Sequence, residues 1–412
     1  MKGTRPIRAF LEPRHLELAM QLEEIVARRF AALEPPADDA AARTAARGLV
    51  EAMGDEGLLR HVVPAALSGS SERAAAGGIG EVGEPELRSL CLIREALGWA
   101  SPLADALFAL QGLGSMPITL AGSAEQRARW LPLVAAGRAI AGFAMTEPEA
   151  GSDVGAIATT ARREGDSWVL EGTKSFISNA GIADFYCVFA STDRSQGARG
   201  IGCFLVPAAT PGLRFVAPYV LSEPHPLGEL AFEACRIPAS ALVGAETGGF
   251  KLGMRSLDML RPTVAAAACG MAARGLEEAI AHARSRRQFG AALAEFQLIQ
   301  AKIARMATDL VASRLLTFRA AWESDRGAAR VTREAAMAKL FATEAAQRIV
   351  DDAVQILGGR GVLAKSVVDR LYRAVRGLRI YEGTSEIQHL VIARDLLRPE
   401  GPGGPGRDLQ DH

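Results

Sequence analysis

The sequence predicts an α+β fold in which a stretch of short strands interrupts two helical regions. Three observations carry this. Residues 1 to about 140 are rich in Ala, Leu, Glu and Arg with helical periodicity. From about 141 to 250, short runs of β-branched, aromatic and aliphatic residues stand between Gly and Pro. From about 251 to 398 the helical spacing returns. The boundaries expected are therefore an N-terminal helical domain over 1–140, a middle antiparallel β domain over 141–250, a helical C-terminal domain over 251–398, and a tail over 399–412.

The first region is broken by "SGSSERAAAGGIGEVGEP", Ser68 to Pro85, which reads as a flexible loop. "SLCLIREALGWASPLADALFAL" then resumes a buried-looking helical pattern. In the middle region, "TTARREGDSWVLEGTKSFIS" reads as two strands turning at Gly165 and Asp166. "FYCVFA", "IGCFLVP", "LRFVA" and "LAFEACRIP" read as further strands of a small antiparallel sheet or barrel. In the third region, Ile299, Ile303, Met306 and Leu310 line one helix face. Phe341, Ala345, Ile349, Ala353 and Leu357 recur every fourth residue and run into Gly358-Gly359, a helix stop. The tail "PEGPGGPGRDLQDH" is Pro- and Gly-rich and reads as disordered.

Composition narrows the function classes. Lys plus Arg and Asp plus Glu number 47 each in a chain of 412 residues, so net charge gives no reason to bind nucleic acid or an anionic membrane. The five cysteines form no CxxC pair and the six histidines no HExxH, which argues against a metal site or a disulfide framework and for a reducing compartment. The N-terminus lacks the apolar core of a secretory signal. No apolar stretch reads as reaching the roughly 20 residues of a membrane span. A cytoplasmic protein is expected.

Five segments hold chemistry-bearing residues. "FAMTEPEAGSDVGA" packs Thr146, Glu147, Ser152 and Asp153 among small residues; it reads equally as a loop presenting N–H and hydroxyl groups to a ligand or as a polar connector. "GTKSFISNAG" sets Phe176 beside Ser178, either to flank a flat ring or as the plain alternation of a half-buried strand. "RSRRQFGAAL" joins arginines to Phe289-Gly290, as a phosphate grip or a solvated helix end. "QILGGRG" is a glycine turn whose backbone can approach a phosphate, or simply a helix stop. "RIYEGTSEIQ" places a carboxylate, Glu382, directly before Gly383, a residue that costs about 1 kcal/mol in a helix interior.

In this order and spacing, these segments resemble the acyl-CoA dehydrogenase family of flavoenzymes, from about residue 45 to 398. "LGSMPITLAGSAEQRARWLP" and "LDMLRPTVAAAACG" extend the likeness. The resemblance implies a helical N-terminal domain, a barrel-like β domain and a C-terminal four-helix bundle, with FAD between the last two. It implies a homotetramer built as a dimer of dimers, an acyl-CoA substrate, and electrons passed to an electron-transfer flavoprotein.

The resemblance also assigns roles. Phe143, Met145, Thr146 and Ser152 match the loop beside the flavin and the thioester. Phe176, Ile177 and Ser178 match the strand against the isoalloxazine. Arg286, Gln288 and Phe289 match the segment reaching a partner's FAD, and Gln355, Gly358 and Gly359 the turn beside the adenosine. Thr384 and Glu386 match FAD contacts. Asp258, Arg261, Ser152 and Gly383 match substrate contacts. Glu382 matches the base that removes the α proton, with its backbone N–H and a ribityl hydroxyl on the thioester carbonyl. An apolar pocket is expected to raise its pKa. Leu260 stands where some members carry the base instead. Ala109 matches the far end of the acyl pocket, implying room for a medium or branched chain.

Departures from the family pattern are Phe176 for tryptophan, Ser178 for threonine, Lys365 for an acid, Ala374 for aspartate, and the segment Ser222–Gly228. Two other readings are open: an oxidase-type flavoenzyme that uses oxygen, and a non-catalytic helical scaffold of the same fold.

Overall fold

The computed structural model describes residues 2–64, 67, 85–328 and 330–398. The loop expected from Ser68 lies outside the described residues up to position 84, and so does the tail over 399–412.

Helices and a sheet follow one another along the chain. The first helices are α1 (Pro13–Arg29), α2 (Asp39–Asp55), α3 (Leu87–Ala100), α4 (Pro102–Ala121) and α5 (Ala124–Ala135). Caps set their starts. Ser101 accepts from Ala104 N at 3.3 Å with Pro102 in the first turn, and Ser123 and Gln126 form a reciprocal capping box. One expectation is corrected here. By length and composition α4 is apolar enough to cross a membrane, yet 78% of its most apolar window is buried inside the protein. It is a core helix, apolar nearly all round because α2, α3, α5, α6 and the sheet surround it.

Seven strands form one curled sheet: β1 (Ala141–Ala144), β2 (Thr160–Glu164), β3 (Ser167–Ser178), β4 (Phe185–Ser191), β5 (Ile201–Pro207), β6 (Leu213–Pro218) and β7 (Leu227–Pro238), in the order β1-β4-β2-β3-β7-β6 with β5 on β4. The β2–β3 hairpin turns at Gly165, whose φ of 58° suits the first position of a II′ turn. The expected antiparallel pattern needs correction at one end: β1 and β2 both pair with β4 in parallel. The long excursion through β2 and β3 brings the chain back to the end from which β1 started, and side-chain alternation within a strand is blind to its neighbour's direction.

The remaining helices are α6 (Gly249–Ser285), α7 (Gln297–Asp325), α8 (Thr332–Leu357), α9 (Val367–Leu378) and α10 (Ser385–Leu396). Met306 and Leu310 of α7 and Ile349 and Ala353 of α8 are buried in one core cluster, and Ala345 is buried as well, as their spacing implies. Between α6 and α7 the arginine-rich segment makes a tight hairpin, β8 (Arg287–Gln288) with β9 (Ala291–Ala292). Phe289 (φ 52°) and Gly290 (φ 81°) occupy its turn, the pair of positive φ values that a I′ turn requires.

Candidate active site

The Glu382 turn joins α9 to α10. Ile380 N and Tyr381 N close onto Gly377 O at 2.9 and 3.1 Å, ending α9, and the Thr384 hydroxyl caps α10 by accepting from Ile387 N at 3.3 Å. Between them Glu382 and Gly383 have φ of 55° and 92°. A left-handed glutamate costs about 1–2 kcal/mol and persists only where its surroundings hold it. Three groups do so. Lys339 of α8 donates to Gly383 O at 2.7 Å, Gln388 donates to the same oxygen at 2.9 Å, and Glu344 accepts from Arg379 Nε at 2.8 Å and Ser385 Oγ at 2.6 Å. A Cβ on Gly383 would come within 2.5 Å of Gln388 Nε2, so that side chain would have to shift.

The turn aims the Glu382 carboxyl inward. Its Oε2 is buried and has no hydrogen-bond partner. Burial pushes its pKa above the usual carboxylate range; Arg94, Arg261 and Lys339 pull it back, and Asp105 pushes it further up. Tyr381, the residue before Glu382, keeps 38% of its surface exposed. Arg261 of α6 pairs with Asp258, which also accepts from Thr332 Oγ1 at 3.3 Å. Leu260 is buried in the core.

The two strand segments meet beside β3. Lys174 donates to Met145 O at 3.0 Å and Glu147 Oε1 at 2.7 Å, Ser175 N donates to Thr146 O at 2.9 Å, and the Ala158 and Thr159 amides hold the other side of Glu147. Phe143 stacks on Phe189. A bulge between Lys174 and Ile177 puts Phe176 at φ 55°, 59% exposed, with its ring 4.7 Å from Tyr219. Such bulges re-aim side chains. Ser178 Oγ lies 3.4 Å from His225 Nε2. Ile177 differs from its two neighbours: its side chain is buried in the core, leaving only its backbone for a ligand. Ser152 is exposed on the loop beyond.

The other expected residues lie at the surface. Arg286, Gln288 and Phe289 are exposed at the hairpin, with Phe289 96% exposed. Gln355, Gly358 and Gly359 are exposed where α8 ends, and Glu386 is exposed on α10. Asp258 faces a groove of about 640 Å³ that Phe250, Lys251, Arg255 and Arg330 also line. Arg94, Asp105, Thr263, Lys339 and Gln388 escaped sequence reasoning. The signal available for the first two was a charge set in an otherwise apolar helical run.

Profiles of the acyl-CoA dehydrogenase N-terminal, middle and C-terminal domains match residues 12–138, 142–235 and 247–397. The mouse mitochondrial short-chain specific acyl-CoA dehydrogenase is 44% identical over 356 residues, 85% of this chain and 82% of the mouse protein. The butyryl-CoA dehydrogenase of Megasphaera elsdenii superposes with a TM-score of 0.84 at 29% identity, covering 94% of this chain and 99% of its own. A chain from a structure titled for the electron transferring flavoprotein of Acidaminococcus fermentans gives 0.84 at 32%, covering 94% and 99%. With all three domains matched around a half-buried glutamate whose Oε2 has no partner, the chain belongs to the acyl-CoA dehydrogenases, a family of FAD-dependent oxidoreductases.

Proposed function

We propose that this protein dehydrogenates short acyl-CoA thioesters at the α,β bond, with Glu382 as the base that removes the α proton. The unpartnered, buried Oε2 on a left-handed turn carries this reading. A carboxylate whose basicity burial has raised, with one oxygen open, accepts a proton from carbon more readily than a surface glutamate. The Glu382 backbone N–H is the donor available for the thioester carbonyl, where negative charge develops.

The chain's own residues fit a flavin. Phe176 is an aromatic ring left 59% exposed at φ 55° on the β3 bulge, against Tyr219 and two residues before the Ser178 hydroxyl. Phe143, Met145, Thr146, Ser152, Phe176, Ser178 and the Ile177 backbone would hold the isoalloxazine, with Thr384 and Glu386 beside them. FAD, when bound, supplies the acceptor for the β hydride. Lys251, Arg255 and Arg330 line the groove next to Asp258 and suit the anionic nucleotide end of CoA, and Asp258 pairs with Arg261.

The relatives named for short chains turn the acyl preference away from the medium or branched chain that Ala109 implies. Asp105 lies one turn from Ala109 on the same face of α4, so a long alkyl chain would run beside a buried charge. Further parts of this reading are the division at 140 and 250 with a four-helix bundle after it, electron-transfer flavoprotein as acceptor, and a homotetramer that covers Phe289. The five buried free thiols accord with a reducing, cytoplasmic setting.

An anaerobic titration of the flavin-loaded protein with acyl-CoA thioesters tests the proposal. Butyryl-CoA is expected to bleach the flavin most completely. Full bleaching by octanoyl-CoA alone overturns the short-chain assignment, and a purified protein without flavin absorbance overturns the function.

A further inference from the structure

The ring assigned to the flavin stands on the bulge of β3. Lys174 pairs with Leu230 and Ile177 with Gly228, so Ser175 and Phe176 of β3 both stand opposite Glu229 of β7. Two residues facing one bend the strand and redirect its side chains. Phe176 takes φ of 55° there, an outlier for a bulky residue. Such a conformation persists only where its surroundings impose it. Phe176 is 59% exposed, so the core does not supply that hold.

Tyr219 stands against the Phe176 ring, with centroids 4.7 Å apart and planes 34° from parallel. It lies just past the end of β6 and is fixed at both ends. Its backbone N–H donates to Leu227 O at 3.0 Å, an oxygen that also accepts from Arg43 Nη2 of α2 at 2.6 Å. Its hydroxyl donates to Glu229 Oε2 at 2.5 Å and lies 3.4 Å from Oγ of the buried Ser175. A hydroxyl donating to a carboxylate makes one of the stronger hydrogen bonds. The contacts form a closed circuit. Glu229 faces the bulge across the ladder, its carboxylate tethers the Tyr219 hydroxyl, and the Tyr219 ring returns to Phe176.

We propose that Tyr219 is a positioning residue for the flavin, acting through Phe176. Tethered by Glu229, it holds the Phe176 ring in one orientation for stacking on the isoalloxazine. This rests on Phe176 facing the isoalloxazine. A phenylalanine ring has no polar atom to fix its own orientation, so a neighbour must. Tyrosine brings both a face for stacking and a hydroxyl for anchorage. Packing alone is a poor reason for the pair, since Phe176 leaves more than half of its surface in solvent.

The test follows bound FAD in the holoprotein by two signals besides turnover. Visible circular dichroism reports the asymmetry of the groups around the flavin. Recovery of flavin fluorescence after dilution reports the rate at which FAD leaves. Urea unfolding runs alongside. Tyr219→Leu is expected to speed FAD release about 5- to 10-fold, the worth of one aromatic pair, and to change the visible dichroism. Tyr219→Phe keeps the ring and loses the tether, so it should lie between Tyr219→Leu and the wild type. Phe176→Leu combined with Tyr219→Leu should release FAD no faster than Phe176→Leu alone, because the tyrosine acts only through that ring.

Wild-type release and dichroism in Tyr219→Leu overturn the inference even where its urea midpoint falls, since a purely structural tyrosine would give that result. Additive effects in the double variant overturn it too. If Tyr219→Leu fails to fold, Tyr219→Phe decides: faster release with altered dichroism supports the tether, and wild-type behaviour overturns it. Phe176→Leu separates the two levels. If it leaves the bound flavin unchanged, the placement of Phe176 against the isoalloxazine falls. If it alters the flavin while Tyr219→Leu does not, only this inference falls.

Discussion

Among the described residues, two lysines are buried to different ends. Lys174 lies under the Met145–Glu147 loop and donates to Glu147 at 2.7 Å. Lys339 lies under the Glu382 turn and donates to the Gly383 carbonyl at 2.7 Å. Burial is the first cause acting on both, and each is pulled down to about 8. For Lys174 the restoring interaction is a carboxylate in direct contact, so its charge is taken up in holding the loop on β3. For Lys339 the strongest restoring charge is Glu382 itself, across space. The same side chain at similar depth holds the fold in one place and biases the chemistry in the other. The position of the matching carboxylate decides which.

The widest break in this comparison is Glu382→Gln, which removes the carboxylate that Lys339 faces. Flavin reduction by butyryl-CoA should slow by at least about 10²–10⁴-fold, the usual range for a general base. Stability should move the other way. A carboxyl whose folded pKa is raised above 4.5 contributes stability that is present below 4.5 and lost as pH rises through the folded value. The glutamine variant is therefore expected to melt higher than the wild type near neutral pH, with the gap closing at about pH 4; scanning calorimetry at both pH values checks this.

Lys174→Met comes next. It leaves Glu147 buried without its counter-charge, so urea unfolding should show a loss of about 3–5 kcal/mol, a larger effect on stability than on the rate of flavin reduction. Lys339→Met should reverse that profile. A carbonyl losing its donor costs only about 1–3 kcal/mol. Loosening of the strained turn should slow flavin reduction by about 10- to 100-fold, and loss of the cation should shift the acid limb to higher pH. Equal stability losses with equal rates in the two methionine variants would dissolve the distinction drawn here.

The smallest effect expected concerns His225, beside Ser178. Burial pulls its pKa from 6.5 to about 4, with Asp39 opposing and Arg43 reinforcing. A base with a depressed folded pKa contributes stability present above about 6.5 and lost as pH falls towards about 4. Urea midpoints at pH 7 and pH 5 should fall further for the wild type than for His225→Asn.

Much of this was legible in the sequence because it is local. The fourfold spacing of Ala345, Ile349 and Ala353 gives one face of α8, and Gly165-Asp166 gives a hairpin turn, since each depends on a few neighbouring residues. The Glu382-Gly383 pair was legible as a turn carrying a carboxylate, and the segments around it as a flavoenzyme signature. The parallel pairing of β1 with β4 was not, because strand direction depends on where an intervening excursion returns. The apolar length of α4 was underestimated by reading charges along the chain, when Asp105 is neutralised by Arg94 from another helix.

By itself, then, the sequence determined the α, β, α succession, the Glu382-Gly383 turn and the family to which the chain belongs. These follow from short-range periodicity and backbone freedom, which neighbouring residues specify. Only the tertiary structure decided which charges the Glu382 carboxyl feels. Arg94, Asp105, Arg261 and Lys339 are far from Glu382 along the chain, and their effect on a buried carboxyl depends on distance through a poorly polarisable interior, which exists only once the helices have packed.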